Sequence, residues 1–170
     1  DGSGQGSLSN TAVVSLEMVS TGKWTLTGTN TYSGTTTVTG GGTLALDDTT
    51  TNSQKISSGN LVLGGTQNNF LGTNQFYGAG GNLTLTGNNS AGSTETVSGL
   101  TLNQGGSSIL VTSGTNENAT LNLGGITRNA GSTINFQLAN TGSGVAAITT
   151  TASNANGILG GWATLNGTDW

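Results

Sequence analysis

Side chains that could carry out acid–base or nucleophilic chemistry are scarce in this 170-residue sequence. It holds seven acidic residues and three basic ones, Lys23, Lys55 and Arg128, and it has no His or Cys. A hydrolase triad in its usual form needs His, and a thiolate nucleophile or thiolate metal site needs Cys. Cleavage of polysaccharides needs neither His nor Cys. It requires only converging carboxylates, or carboxylate-held calcium with a basic residue.

The dipeptide Asp47-Asp48 is the one place where two acidic residues are adjacent. Consecutive residues of a strand point to opposite faces, so these two carboxylates are not expected to converge. The Thr and Asn residues around them favour a solvated corner. The repeated calcium-binding motif G-G-x-G-x-D is also missing. The sequence therefore predicts a protein that is not an enzyme, with no catalytic, cofactor-binding or metal-binding residues.

The charge balance also excludes two classes of partner. The formal net charge is −4 at pH 7, whereas nucleic-acid binding needs clustered Lys and Arg to neutralise phosphates. No apolar run approaches the roughly 20 residues of a membrane-spanning helix. We therefore expect no nucleic-acid partner and no membrane insertion by this segment. Because the sequence begins with Asp1, we interpret its start as a boundary left by processing or by expression of a fragment, with any targeting segment removed.

Residues 24–46 set the organisation of the chain. Apolar and small polar residues alternate in them with the period of two that is typical of strands with one buried face. The pattern predicts a strand, a polar corner, a second strand, a glycine corner and a third strand, at residues 24–27, 28–34, 35–39, 40–42 and 43–46. A chain that returns on itself about every 20 residues in this way is typical of a β-solenoid.

Similar strands recur along the rest of the chain, separated by glycine clusters that favour tight bends. We expect them at residues 60–63, 82–85, 100–102, 108–111, 119–123, 132–138 and 145–150. Their spacing shortens along the chain, which indicates that the later segments supply successive strands within one rung. The prediction is an all-β, right-handed β-solenoid of about seven to nine rungs. It forms a single domain over residues 1–170, in which residues 1–20 are an N-terminal cap or assembly strand.

The segment 24–46 also resembles a known repeat. The positions that carry the resemblance are Gly28, Asn30, Thr31, Tyr32, Ser33, Gly34, Thr36, Thr37, Val38, Gly41, Thr43 and Leu44. Together they resemble the autotransporter passenger-associated strand repeat of secreted bacterial β-helix proteins. Residues 95–103, 119–128 and 156–164 resemble sections of large proteins built from such repeats. The resemblance implies a secreted or cell-surface location, for a fragment of a longer protein or for a short family member.

We predict a structural function and keep one alternative beside it. The first is a structural surface protein, either a subunit of a self-assembling fibre or a segment of a long surface rod. The alternative is an adhesin or glycan-binding passenger module, for which the partners would be surface glycans. The positions of the aromatic residues distinguish them, because a row along one flat side favours glycan binding and aromatics at the rod ends favour assembly.

For the first function we predict that the chain binds itself, head to tail. The terminal rungs of a solenoid carry unpaired backbone groups, and few charges or other blocking residues protect them here. A head-to-tail contact does not close, so it propagates as a fibre. The predicted assembly residues are Val13, Val14, Leu16, Ile158, Leu159, Trp162 and Trp170.

Overall fold

The computed structural model describes residues 13–65, 79–154 and 159–169. In these ranges the regular secondary structure consists of fifteen β-strands and includes no helix. It follows that none of the described segments is a helix able to cross a membrane. The expected all-β class is confirmed.

The strands are numbered in chain order. Their bounds are β1 (Leu16–Val19), β2 (Lys23–Leu26), β3 (Thr36–Thr39), β4 (Thr43–Asp47), β5 (Asn60–Leu63), β6 (Ala79–Thr86), β7 (Ser93–Thr96), β8 (Gly99–Leu102), β9 (Gly105–Thr112), β10 (Ala119–Asn122), β11 (Gly125–Arg128), β12 (Ser132–Ala139), β13 (Ala146–Thr149), β14 (Ala163–Leu165) and β15 (Thr168–Asp169).

These strands form three sheets whose neighbours are not consecutive in sequence. The orders are β1-β3-β5-β8-β11, β7-β10-β13 and β2-β4-β6-β9-β12-β14-β15. All pairings between named strands are parallel except the last, β14 with β15. Because β7, β8 and β9 enter three different sheets, successive strands do belong to one circuit. The stacked sheets confirm the β-solenoid, while its right-handed winding and its seven to nine rungs remain predictions.

The core consists of side chains that stack in register from one rung to the next. Leu44, Leu83, Ile109 and Phe136 form one such column in the largest sheet, and all four are buried. Burying an apolar side chain of this size stabilises the fold by about 1.5–3 kcal/mol. The alternation seen in the sequence therefore determines which face of each strand turns inward.

The outer face carries polar ladders, as predicted from the many Thr and Asn residues. Asn122 Nδ2 donates to Thr96 Oγ1 at 3.1 Å, and Thr149 Oγ1 donates to Asn122 Oδ1 at 2.6 Å. These three residues occupy the same register position of β7, β10 and β13. We call Thr96, Asn122 and Thr149 the outer ladder. Its side-chain amide and hydroxyl groups are hydrogen-bonded between rungs, and its three residues carry no charge.

The bends use glycine where the backbone requires it. Gly64 follows β5 with a φ of 88°, a left-handed conformation that L side chains rarely adopt. A Cβ at this position would lie 2.9 Å from the Gln104 carbonyl oxygen of a neighbouring bend. Glycine is therefore required at this position for two reasons, the left-handed φ angle and the close approach of the neighbouring bend.

The two ends of the stack differ. At one end, Trp24 begins the column that continues through Leu44, and its side chain is 36% exposed. At the other end, β15 folds back on β14 through Asn166 (φ 51°) and Gly167 (φ 77°). The antiparallel turn covers the last parallel edge of the largest sheet, whereas β1 and β2 have no neighbour on their outer side among the described residues.

The cap predicted at residues 1–20 lies partly outside the described part of the chain, which begins at residue 13. The remainder contains β1, which pairs in parallel with β3 as an ordinary rung strand. Whether residues 1–20 act as a cap stays a prediction, and so does the single domain over residues 1–170.

A buried ionic cluster as the candidate functional site

The corner at residues 48–58 connects β4 to β5 and differs from a regular rung. It contains no strand, although it lies against the outer edge of β7. Gln54 takes over part of the missing pairing, because its Nε2 donates to the Thr96 carbonyl at 2.8 Å and its Oε1 accepts from the Thr96 N–H at 3.2 Å. The side-chain amide thus replaces a backbone neighbour, which frees the corner backbone to fold around charged groups.

Asp48 and Lys55 form an ion pair inside this corner. Lys55 Nζ lies 2.8 Å from Asp48 Oδ1, and neither side chain is exposed to solvent. The ammonium also donates to the carbonyl oxygens of Thr51 and Ser53 and to Ser53 Oγ. Asp48 Oδ2, in contrast, is buried without a hydrogen-bond partner. The lysine is fully surrounded by acceptors, and the carboxylate keeps one free oxygen.

Glu95 approaches the same corner from β7. It is in register with Leu121 of β10, so its side chain occupies a position of the inward-facing column. Its Oε1 accepts from the backbone N–H of Lys55 at 2.6 Å, and its Oε2 accepts from that of Ile56 at 3.4 Å. Glu95 therefore holds the backbone that carries the Lys55 side chain.

Burial dominates the protonation of Glu95. Loss of solvent raises the pKa of Glu95 to about 8, against the opposing effect of the Lys55 N–H, and the negative charge of Asp48 adds to the rise. Two carboxylates and one ammonium would carry a net negative charge into the interior. A proton on Glu95 removes that excess, because the cluster of Asp48, Lys55 and Glu95 is then neutral.

Two residues of the strand-repeat segment close the cluster from the side of the core. Asn30 Nδ2 donates to the Lys55 carbonyl at 2.7 Å. Tyr32 Oη shares a hydrogen bond of 2.6 Å with Thr36 Oγ1, and burial raises the pKa of Tyr32. The Asn30 bond and the Glu95 bond together fix the Lys55 backbone at its carbonyl and at its N–H.

This arrangement corrects one expectation from the sequence. Asp47 and Asp48 do point to different environments, as predicted, because Asp47 is half-buried and its Oδ1 accepts from the Thr49 N–H at 2.9 Å. The solvated corner is wrong for Asp48, which is completely buried. Lys55 provides the reason, because an opposite charge 2.8 Å away compensates for the lost hydration of the carboxylate.

Glu95 and Lys55 were not singled out from the sequence, although one signal for Glu95 exists. Ser93, Glu95 and Val97 alternate with exposed residues, and Val97 is plainly a core residue. A period of two that is anchored on Val97 would have placed Glu95 inside. Nothing of this kind indicates Lys55, because its corner follows no strand period.

Any chemistry of the cluster is confined to its own side chains, because solvent and substrates do not contact them. None of its three charged side chains reaches solvent, so a glycan cannot reach the carboxylates. Among the described residues no group of three or more acidic, His or Cys side chains is placed to hold a metal ion.

The predicted assembly residues lie near opposite ends of the stack. Val13 is 79% exposed, while Val14 and Leu16 are half-buried against the core beside the outer strand β1. Leu159 and Trp162 also pack against the core, and the Trp162 carbonyl accepts from the Ile134 N–H at 2.9 Å. Within one chain the structure does not bring the N-terminal and the C-terminal assembly residues together. Ile158 and Trp170 lie outside the described residues.

Trp162 has a partner within the chain. The guanidinium carbon of Arg128 lies 5.9 Å from the centre of the Trp162 ring. Arg128 stands in register with the buried Leu102, at the last position of its column, and remains exposed. The two side chains together cover that end of the column.

Comparisons with known proteins agree with the resemblance found in the sequence. Residues 16–53 match the passenger-associated-transport-repeat family, and this match includes β1 to β4 and Asp48. The chain is also 37% identical over 124 residues to the adhesin BmaC autotransporter of Brucella suis biovar 1 (strain 1330). That alignment covers 72% of this chain and 3% of the relative, so the chain spans a small part of that protein's length. No solved structure matches the chain.

Proposed function

We propose that this chain is a segment of the rod of an exported bacterial adhesin. The observation that carries the proposal is the 37% identity to a part of an autotransporter adhesin, over 72% of this chain. The parallel stacked sheets support a rod, since further parallel rungs can pair with the open outer edges of β1 and β2. A secreted or cell-surface location belongs to the same proposal.

A non-enzymatic role is part of this proposal. The one concentration of ionisable groups in the described residues is the cluster of Asp48, Lys55 and Glu95, and no substrate can reach it. The outer faces carry Thr, Asn and Ser side chains that are hydrogen-bonded to one another between rungs. Uncharged polar faces of this kind can contact sugars or protein surfaces through hydrogen bonds at many equivalent positions.

A bead assay tests adhesion directly. Beads that carry the chain should adhere to host cells more strongly than beads that carry an unrelated β-solenoid of similar charge. Two variants locate the contact, because each introduces the same charge on a different sheet: Asn122→Lys in the ladder on β10, and Thr127→Lys on the outer face of β11. We expect Asn122→Lys to reduce adherence more, and wild-type adherence no greater than the control would contradict the proposal.

End-to-end self-association is the second candidate function. It is favoured by the open end of the stack, where Val13 is 79% exposed and Trp24 is 36% exposed beside the outer edges of β1 and β2. At the other end β15 covers the edge of the largest sheet only, while β11 and β13 also have no outer neighbour among the described residues. A second copy could therefore pair with the two smaller sheets directly, and with the largest only if the turn at β14–β15 moved away. A rung of a longer chain is the alternative neighbour of β1 and β2.

Sedimentation velocity at micromolar concentration separates the two neighbours. Fibres that disappear in Leu16→Lys would support self-association. A monodisperse monomer, unchanged by Leu16→Lys or Val14→Lys, would contradict it. Adherence of the beads does not depend on this result, so the two candidate functions are tested separately.

A further inference from the structure

We propose that Lys55 and Asp48 condense into an intramolecular amide bond, so that the corner at residues 48–58 is covalently cross-linked. The bond would join Lys55 Nζ to Asp48 Cγ. It is a property of the corner itself, and it does not depend on the adhesin proposal.

The first support is the geometry of the reacting atoms. Lys55 Nζ lies 2.8 Å from Asp48 Oδ1, so the nitrogen is already next to the carboxyl carbon. Asp48 Oδ2 has no hydrogen-bond partner, which leaves this oxygen free to move as the carbon changes geometry. The fold holds the two side chains in contact, which gives the pair a high effective concentration.

The second support is the absence of solvent around the pair. Both side chains have no exposed surface. Condensation of an amine with a carboxyl group releases water, and in aqueous solution the high concentration of water opposes it. In a dry interior two opposite charges are costly to keep, and the neutral amide removes both of them.

The carbonyl groups around Lys55 orient the nitrogen for attack. The ammonium donates to the Thr51 carbonyl and, at 3.2 Å, to the Ser53 carbonyl. After one proton has passed to Asp48, the two remaining N–H bonds can keep these acceptors. The lone pair created by that transfer then lies on the side of the nitrogen that faces Asp48.

The atoms balance without another reagent. The first proton moves from Lys55 Nζ to the Asp48 carboxylate, which gives an amine and a carboxylic acid. The nitrogen lone pair forms the bond to Cγ, the C–O bond to one carboxyl oxygen breaks, and a second proton moves from nitrogen to that oxygen. One water leaves, no oxidation occurs, and the remaining amide N–H keeps one carbonyl acceptor.

Glu95 is the positioning residue for this reaction. It touches neither Nζ nor the carboxyl carbon, but its Oε1 accepts from the Lys55 backbone N–H at 2.6 Å. This contact, with the Asn30 bond to the Lys55 carbonyl, fixes where the lysine side chain begins. Glu95→Ala should therefore reduce the cross-linked fraction, and Glu95→Gln should restore it in part, because an amide oxygen can still accept this N–H.

Tryptic digestion of the fully denatured wild-type protein tests the bond. The sequence offers three cleavage sites, after Lys23, Lys55 and Arg128, so an unmodified chain yields peptides 1–23, 24–55, 56–128 and 129–170. An acylated Lys55 is not a trypsin site. We expect a single peptide 24–128 whose mass is lower by one water, with a fragmentation spectrum that joins Lys55 to Asp48. Lys23, which is exposed, is the internal control for complete digestion.

The result on wild-type protein decides the proposal by itself. Complete cleavage after Lys55, with unmodified masses for peptides 24–55 and 56–128, would overturn it. A succinimide at an aspartate also loses water, but it leaves Lys55 cleavable and so counts against the bond. Lys55→Arg should digest fully, and Asp48→Asn should release ammonia in place of water if the same carbon reacts.

Discussion

The corner at residues 48–58 and the sheet β7-β10-β13 lie on the same side of the solenoid but are stabilised differently. In the sheet, Leu121 and Ile148 stack in register and the backbones pair directly. At β7 the column changes from apolar side chains to Glu95, and beyond it lie Lys55 and Asp48. The regular ladder ends at the strand that faces an irregular corner, and buried charges replace it there.

This difference shows what a solenoid needs where a rung departs from its neighbours. A strand satisfies its backbone N–H and C=O groups by pairing with the next strand. The corner backbone faces β7 but does not pair with it as a strand. Carboxylate and amide oxygens from β7 and from Gln54 supply acceptors, as Lys55, Ile56 and Thr96 illustrate. The buried charges therefore make an irregular corner compatible with a regular stack.

Removing the lysine should have the largest effect on stability. Lys55→Met leaves Asp48 and Glu95 buried near each other without a counter-charge, and it also removes the proposed cross-link. Breaking a buried ion pair in this way costs about 3–5 kcal/mol. Urea unfolding should show that loss in the free energy of unfolding. The matched control is Lys23→Met, which removes the same charge from an exposed site and should stay within about 0.5 kcal/mol. Equal losses in the two variants would contradict the role given to the cluster.

Truncating the apolar column should have a slightly smaller effect. Leu121→Ala removes a fully buried side chain, and the resulting cavity should lower the free energy of unfolding by about 3 kcal/mol. Thr120→Ala, one residue earlier and facing outward, is the control and should have little effect. A loss below about 1 kcal/mol for Leu121→Ala would mean that the column can collapse around the cavity.

The pH dependence of stability separates the two regions further. The pKa of Glu95 is about 8 in the folded chain against an ordinary value of 4.5, so the folded state binds this proton more tightly. The protonated Glu95 contributes its full stabilisation when the pH is below the ordinary pKa of 4.5. That stabilisation is lost as the pH rises through 8. Between the two pKa values the free energy of unfolding should therefore fall by at most about 1.4 kcal/mol for each pH unit.

Urea unfolding of wild type and Glu95→Gln across this pH range provides the measurement. Glutamine cannot titrate but keeps an acceptor for the backbone N–H of Lys55. Its stability should therefore change little where that of the wild type declines. Parallel curves for the two proteins would assign the pH dependence to other groups.

Breaking the outer ladder should have the smallest effect. Thr149→Ala removes the hydroxyl that donates to Asn122 Oδ1 at 2.6 Å, and the freed oxygen can bind solvent. The expected loss in the free energy of unfolding is about 0.5 kcal/mol. A thermal or urea midpoint as strongly shifted as that of Leu121→Ala would show that the ladder, and not the core column, stabilises this sheet.

Strands with a clear period of two could be predicted from the sequence. The predicted strand at residues 60–63 coincides with β5, and those at 82–85 and 132–138 lie within β6 and β12. Residues 93–96, with the sequence STET, form β7 but carry no aliphatic residue to mark an inward face. The inward positions of the strand are filled by Ser93 and Glu95, so the apolar residue that marks the inward face is Val97, just beyond the strand.

The buried cluster could not be predicted for a related reason. Charged residues are normally taken to be solvated, and Asp48 and Lys55 are separated by a corner with no regular period. Their contact depends on how residues 49–54 fold, and those residues in turn are held by side chains of the next rung, such as Asn88, which donates to the Asp48 carbonyl at 2.8 Å. The information lies in contacts between rungs, which a single strand pattern does not contain.

In the later rungs, several polar bonds join residues the same distance apart along the chain, and this has a consequence for how the protein folds. The bonds Asn122–Thr96, Asn129–Asn103 and Ser108–Asn82 each span 26 residues. Closing a loop of fixed length has a nearly fixed entropic cost, so each of these rungs meets a similar barrier and gains a similar set of contacts when it closes. Folding can then propagate from one finished rung to the next, with the exposed edge of the last strand as the template for the segment that follows.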